Sequence, residues 1–176
     1  PEIDLSPLYS RYKNHDKLVH AICSNIENRG IIKPLWDLVS YIDIEKKSVV
    51  ILDIAQLQRR QFDWVGAKES LQKAKEESNT ILASIRRQKI QSQIAKEYII
   101  LGEFEEALTM LDTFSRFEFK APLFVLLEKE LRKKEKPEEA IIIRDRALSC
   151  VEKVIYDWDS CAMFLDLVPA FNTQQN

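Results

Sequence analysis

Glycine is nearly missing from this chain. Only Gly30, Gly66 and Gly102 occur in 176 residues, and no G-x-G-x-x-G or P-loop pattern can be written from them, which removes a phosphate-cradling loop. Cys23, Cys150 and Cys161 form neither a C-x-x-C pair nor an even-numbered framework, so reduced thiols in a cytoplasmic setting are expected. The two histidines, His15 and His20, are too few for a histidine-rich metal site. His20 and Cys23 at i, i+3 could supply two ligands, but a structural zinc needs four. No apolar run is long enough to span a bilayer, and a membrane partner is not expected. One-signed charge is also missing. With 26 Lys+Arg against 28 Asp+Glu the net charge is −2, where general nucleic-acid binders are strongly basic. The chain starts at Pro1 without Met and ends in the polar Asn172–Asn176 stretch, so a piece of a longer protein is expected, with targeting signals outside it and delivery into a host cell left open.

What is present is helical patterning almost throughout. Apolar residues at 3.6-residue spacing predict helices near 16–28, 34–42, 45–60, 63–77, 80–101, 104–115, 121–134, 137–156 and 159–168. The β-branched runs Ser48–Ile51 and Ile141–Ile143 sit inside longer helix-period stretches and stay helical. Short connections make sequential helices antiparallel neighbours.

The chain also repeats itself. Ile54-Ala55, Asp63-Trp64, Ala67, Leu71 and Ala74 align with Ile94-Ala95, Glu103-Phe104, Ala107, Leu111 and Phe114, each 40 residues later. A third copy carries Leu131, Lys136-Pro137, Glu138-Glu139-Ala140, Arg144 and Ala147, with Ala140 lying 33 residues after Ala107. Periods of this size mean stacked supersecondary units.

The stretch Gln93 to Leu108, with Ala95, Tyr98, the turn Gly102-Glu103-Phe104 and Ala107, resembles the centre of a tetratricopeptide repeat. The similarity is strongest over 94–114 and extends to 54–74. Small Ala95 and Ala107 let two helices approach, Tyr98 and Phe104 fill the gap between them, and Gly102 allows the turn. Gln58 stands where Tyr98 stands one repeat later. The resemblance implies an all-α fold of antiparallel helical hairpins, stacked as a short right-handed α-solenoid in one domain, 1–176. Hairpins are expected at about 45–78, 80–116 and 120–156, with N-terminal helices in 1–44 and a C-terminal helix and polar tail in 157–176.

It also implies that first helices line a concave groove. Residues on that side are Asp53, Gln56, Arg59 and Arg60, then Lys89, Gln93 and Lys96, then Lys129, Arg132 and Lys133. Seven of these ten are cationic, while the compensating acids such as Glu103, Glu105, Glu106, Glu138 and Glu139 fall in turns and second helices. A basic face of this kind would focus an anionic segment into the groove. Members of the family that clamp a terminal carboxylate use an Asn that is absent among Gln93, Ser92 and Lys96, so that ligand is not expected.

Catalytic chemistry has little to stand on. Glu76-Glu77, Glu105-Glu106 and Glu138-Glu139 could mimic acid–base pairs, but the last two sit where carboxylates favour the helix dipole. Phe114, Phe117, Phe119 and Phe124 read as packing of a connection onto adjacent hairpins, and Trp36, Trp64 and Trp158 as inter-helix packing. The expectation is therefore a non-enzymatic module, without cofactor, metal or small-molecule substrate, that binds a protein or an acidic or amphipathic peptide. The alternatives are a structural or oligomerisation segment and a nucleic-acid binder using the basic face.

Overall fold

In the computed structural model, which describes residues 14–25 and 29–155, the protein is all-helical, with no strand among the described residues. The helices are α1 (His15–Asn25), α2 (Ile32–Val39, entered through a 3₁₀ turn at Arg29–Ile31), α3 (Ile44–Arg60), α4 (Trp64–Ser78), α5 (Ser84–Leu101), α6 (Phe104–Thr113), α7 (Phe117–Lys133) and α8 (Pro137–Ile155). The chain forms two compact units, Pro1–Glu97 and Tyr98–Asn176. Within the first, α3 packs on α4, α1 and α2; within the second, α7 packs on α8 and α6. The expected helix at 159–168 lies outside the described residues.

Most predicted boundaries shift by up to three residues, as where the helix expected at 34–42 runs Ile32–Val39, and two starts move further. Helix α5 starts at Ser84 and not near residue 80, because Asn79, Thr80 and Ile81 continue α4 as tightening turns, with backbone bonds to Glu76, Glu77 and Ser78. Helix α7 starts at Phe117, upstream of the predicted 121. Pro122 lies inside it and forfeits one backbone bond, against which stand the burial of Ala121, Leu123 and Phe124 and the contact of Phe117 with the Lys153 ammonium, 4.8 Å from the ring centroid.

The three turns at 61–63, 102–103 and 134–136 share a backbone conformation. Each hairpin turn places one residue in the left-handed region: Phe62 at φ 60°, Gly102 at φ 83° and Glu135 at φ 58°. Each closes with the same long bond across the helix end, from Asp63 N–H to the Gln58 carbonyl (2.9 Å), Glu103 to Tyr98 (2.9 Å) and Lys136 to Leu131 (3.1 Å). These are Schellman caps, which satisfy the carbonyls that the first helix leaves open. One turn on, Ala67, Ala107 and Ala140 are each 0% exposed. The α7–α8 pair shows its antiparallel register directly. Lys153 lies over Phe117 and Arg146 over Phe124, seven residues along each helix in opposite directions.

Gln58 explains how the first hairpin does without the aromatic that Tyr98 supplies to the second. Its carbonyl oxygen accepts from Ser70 Oγ at 2.5 Å, and its amide donates to Asp63 Oδ2 at 3.3 Å. Asp63 in turn caps α4 by accepting from Gly66 N–H at 3.0 Å. Gly66 makes room for this, since a Cβ there would lie 2.2 Å from Asp63 Oδ2 and 2.3 Å from Gln58 Nε2. Forty residues on, the same places hold Tyr98, Glu103, Glu106 and Met110, so the polar network and the glycine replace the aromatic together. Gly66→Ala gains about 1 kcal/mol of helix propensity, but displaces a buried amide and disturbs a cap, losses of about 1 kcal/mol each or somewhat more. The expected net is a destabilisation of about 1 kcal/mol in urea unfolding. That loss should shrink in a Gln58→Ala background, where only the contact with Asp63 remains.

Candidate interaction cleft

Helix α1 buries Val19, Ile22 and Cys23, and α1 packs on α3. That leaves Asp16, Lys17 and His20, one turn apart, on a shared flank. On α3 the residues at i, i+3, i+4 and i+7 that meet this flank are Lys46, Val49, Val50 and Asp53. Arg86 from the start of α5 completes a cleft of about 350 Å³ lined by these eight residues. Val50 is buried and Val49 half-buried, so the cleft has an apolar floor under a charged rim.

The rim is ordered by three pairs of unequal strength. His20 Nδ1 lies 3.0 Å from Asp53 Oδ2, with the aspartate side chain only 12% exposed. Burial pushes the Asp53 carboxyl above its ordinary range, and the His20 hydrogen bond and the Arg60 charge offset only part of that. Lys46 Nζ reaches Asp16 Oδ2 at 3.1 Å. Burial acts to raise Asp16 too, but the Lys46 ammonium and nearby backbone N–H groups more than offset it, and the carboxyl sits below its ordinary value. Arg86 Nη1 donates to Glu45 Oε2 at 2.7 Å, with both side chains well exposed at 46% and 66%. An exposed pair of this kind contributes little and exchanges readily. Lys17 is exposed.

Beside the cleft, the predicted groove residues of α3 turn out to be engaged. Gln56 Nε2 donates to Glu97 Oε1 at 3.1 Å and Arg59 Nε to Glu97 Oε2 at 2.9 Å, with the glutamate side chain 8% exposed. Arg60 donates to the Cys23 carbonyl at the end of α1, a cation where the helix dipole favours one. Lys89, Gln93 and Lys96 are exposed along one face of α5. In the second unit Lys129 is exposed, Arg132 pairs with Glu128, and Lys133 Nζ pairs with Glu130 Oε1 at 2.6 Å. The expectation that compensating acids lie in turns and second helices is therefore corrected. Glu97, Glu128 and Glu130 sit on first helices and neutralise Arg59, Arg132 and Lys133. Lys17, Lys46 and Arg86 were missed by the sequence reading. Lys46 could have been found from its helical spacing to Val49, Val50 and Asp53, whereas Lys17 and Arg86 reach the cleft from other helices and left no local signal.

The remaining candidates resolve simply. Cys23 is buried, and burial together with the Asp53 charge pushes its thiol up to about 12, so it stays protonated at neutral pH despite the His20–Asp53 pair nearby. Cys150 is likewise buried and raised by desolvation. Among the described residues no group of three or more His, Cys, Asp or Glu side chains is placed to hold a metal ion, and no helix is long and apolar enough to cross a membrane. Phe114 and Phe124 are buried, as packing residues should be, and Trp36 packs under Lys73 Nζ, 4.5 Å from its ring centroid. Trp64 departs from the packing expectation. It is 53% exposed at the tip of the first hairpin, because the turn directs it outward beside Phe62. Trp158 lies outside the described residues. No family model, no curated protein and no solved structure matches the chain.

Proposed function

We propose that this protein is a non-enzymatic interaction module, a short right-handed α-solenoid of tetratricopeptide-like hairpins that binds an acidic or amphipathic segment of a partner protein. The observation that carries the reading is the cleft between α1, α3 and α5. Its valine floor suits an aliphatic side chain, and its rim offers Lys17 together with an Arg86 whose hold on Glu45 is exchangeable. A ligand carboxylate would take the place of Glu45 on the Arg86 fork, a two-pronged contact that guanidinium favours. Lys89, Gln93 and Lys96 continue exposed along α5 beyond Arg86 and extend the surface toward a longer segment. Arg59 and Arg60 serve the module by holding α3 to α5 and to α1.

The test is capture of partners from lysate by wild type, by Lys17→Glu/Arg86→Glu and by Lys129→Glu/Lys133→Glu. The expected result is one partner bound at least ~10-fold more weakly, a ΔΔG of about 1.4 kcal/mol, by the first variant only. A partner held equally by all three proteins would remove the cleft from the reading. A structural or oligomerisation segment is the second reading, favoured by Ile141, Ile142 and Leu148, exposed on α8. The nucleic-acid alternative is weakened by the pairing of Arg59, Arg132 and Lys133 with acids.

A further inference from the structure

Pairing sorts the cations of the first unit. Arg59 is held by Glu97, Arg60 by the Cys23 carbonyl, Lys46 by Asp16 and Arg87 by the Ile81 carbonyl. Lys89 and Lys96 are exposed, and neither ammonium has a hydrogen-bond or ion-pair partner among the described residues. No acid lies between Glu77 and Glu97 in the chain, and Glu97 itself is buried on Gln56 and Arg59. The exposed side of α5 therefore keeps its positive charge. At about 100° per residue, Ile85, Lys89, Lys96, Gln93 and Arg86 fall within roughly 100° of arc, and all five are exposed. Ile85 adds apolar surface at the end where Arg86 meets the valine-floored cleft. A cation in the first turn of a helix opposes the dipole, so helix stability does not ask for Arg86 in that place.

We propose that the segment taken by this module is an acidic amphipathic α-helix laid along α5, with carboxylates on Arg86, Lys89 and Lys96 and one aliphatic side chain in the cleft. The proposal rests on the cleft reading above and adds the conformation and register of the ligand. Spacing carries it. Along α5 the rise from Arg86 to Lys89 is about 4.5 Å and from Lys89 to Lys96 about 10.5 Å. A second helix crossing at a shallow angle repeats those intervals, with residues i, i+3 and i+10 on one face. An extended strand does not. Its side chains return to one face only about every 6.8 Å, and the residue ~10 Å along points away. A ligand helix of this reach has roughly 12–15 residues, too short to hold its fold alone in water, so it orders on binding. Single-stranded nucleic acid would answer the charge only. It leaves Val49, Val50 and Ile85 unmatched, and no aromatic residue on which a base could stack occurs from Val65 to Glu97.

The test is fluorescence anisotropy on the whole chain with a labelled alanine-rich peptide carrying Glu at i, i+3 and i+10 and a leucine beside the first Glu. The controls are the same peptide with two central alanines replaced by proline, and oligodeoxythymidine. Wild type is expected to bind the helical peptide, to raise its helicity, and to release it with salt. The proline peptide is expected to bind at least ~10-fold more weakly. Lys89→Glu/Lys96→Glu should lose the helical peptide by the same factor with a Tm like that of wild type, since both lysines are exposed and unpaired. Lys129→Glu/Lys133→Glu should bind as wild type does. Equal binding of the two peptides overturns the helical ligand, and full binding by Lys89→Glu/Lys96→Glu overturns its place on α5. In either case a loss confined to Lys17→Glu/Arg86→Glu keeps the cleft reading. No binding of the helical peptide by wild type at ~1 mM, or tighter binding of oligodeoxythymidine, overturns the proposal, and the cleft then stands or falls on its own capture experiment.

Discussion

Glu97→Leu is expected to lower the stability of the first unit by about 3 kcal/mol, read as a shift of the urea midpoint and as faster amide exchange along α3. The carboxylate is buried and both its oxygens are used, one by Gln56 and one by Arg59. Leucine fills similar volume but accepts nothing, so a half-buried guanidinium and a half-buried amide lose their partner at once. Hydrogen bonds to a charged group contribute roughly 1.5–3 kcal/mol each. The loss should stay near the lower end of a fully buried pair, since the Arg59 side chain is 28% exposed and can partly regain water. Glu97→Gln keeps an acceptor for Arg59 and should lose about 1 kcal/mol. The double variant Arg59→Met/Glu97→Leu should recover most of the loss, because removing both charges removes the uncompensated one. If Glu97→Leu proves within about 0.5 kcal/mol of wild type, the pair behaves as a surface salt bridge, and Arg59 returns to the set of cations available to a ligand.

This clamp also marks the limit of what residue patterns disclose. The hairpins were legible because their signals are local. Ala67, Ala107 and Ala140 mark the buried first turn of each second helix, Gly102 marks the left-handed turn, and the apolar periods on either side fix the helices. The partners of the charges were not legible, since Arg59 meets Glu97 across 38 residues and His20 meets Asp53 across 33. Even Glu128 and Glu130, on the same helix as Arg132 and Lys133, were passed over when cations were counted along one face without the acids beside them. Gln58 read as a mismatch to Tyr98, although Gly66 and Ser70 change with it at the same offset and together make the substitution consistent. Phe62 carried no sign of a left-handed turn, because nothing local to a phenylalanine asks for one. The 40-residue offset sets Phe62 opposite Gly102, but only the backbone shows that the phenylalanine takes the same left-handed conformation.

Phe124→Ala is expected to have the larger effect, about 4 kcal/mol, taken from the second unit. Phe124 is 1% exposed on α7, and the Arg146 guanidinium of α8 stands 4.7 Å from its ring centroid. Arg146 also pairs with Asp112 at the end of α6, so the ring supports a contact that joins three helices. Truncation to alanine removes the ring's burial, leaves a cavity that close-packed helices refill only in part, and withdraws the face on which Arg146 rests. Most of the loss is packing. The cation–π contact contributes about 0.5–1 kcal/mol for a partly exposed arginine, and the exposed ion pair less. The variants should therefore rank clearly. Phe124→Leu, which keeps most of the volume, should lose about 1–1.5 kcal/mol, and Arg146→Ala about 1 kcal/mol. At 4–8 °C per kcal/mol for a unit of this size, Phe124→Ala should lower the melting temperature by roughly 20 °C and abolish amide protection in α7 and α8. A loss for Arg146→Ala as large as that for Phe124→Ala would mean that the charged bridge among α6, α7 and α8, and not the buried ring, holds this unit together.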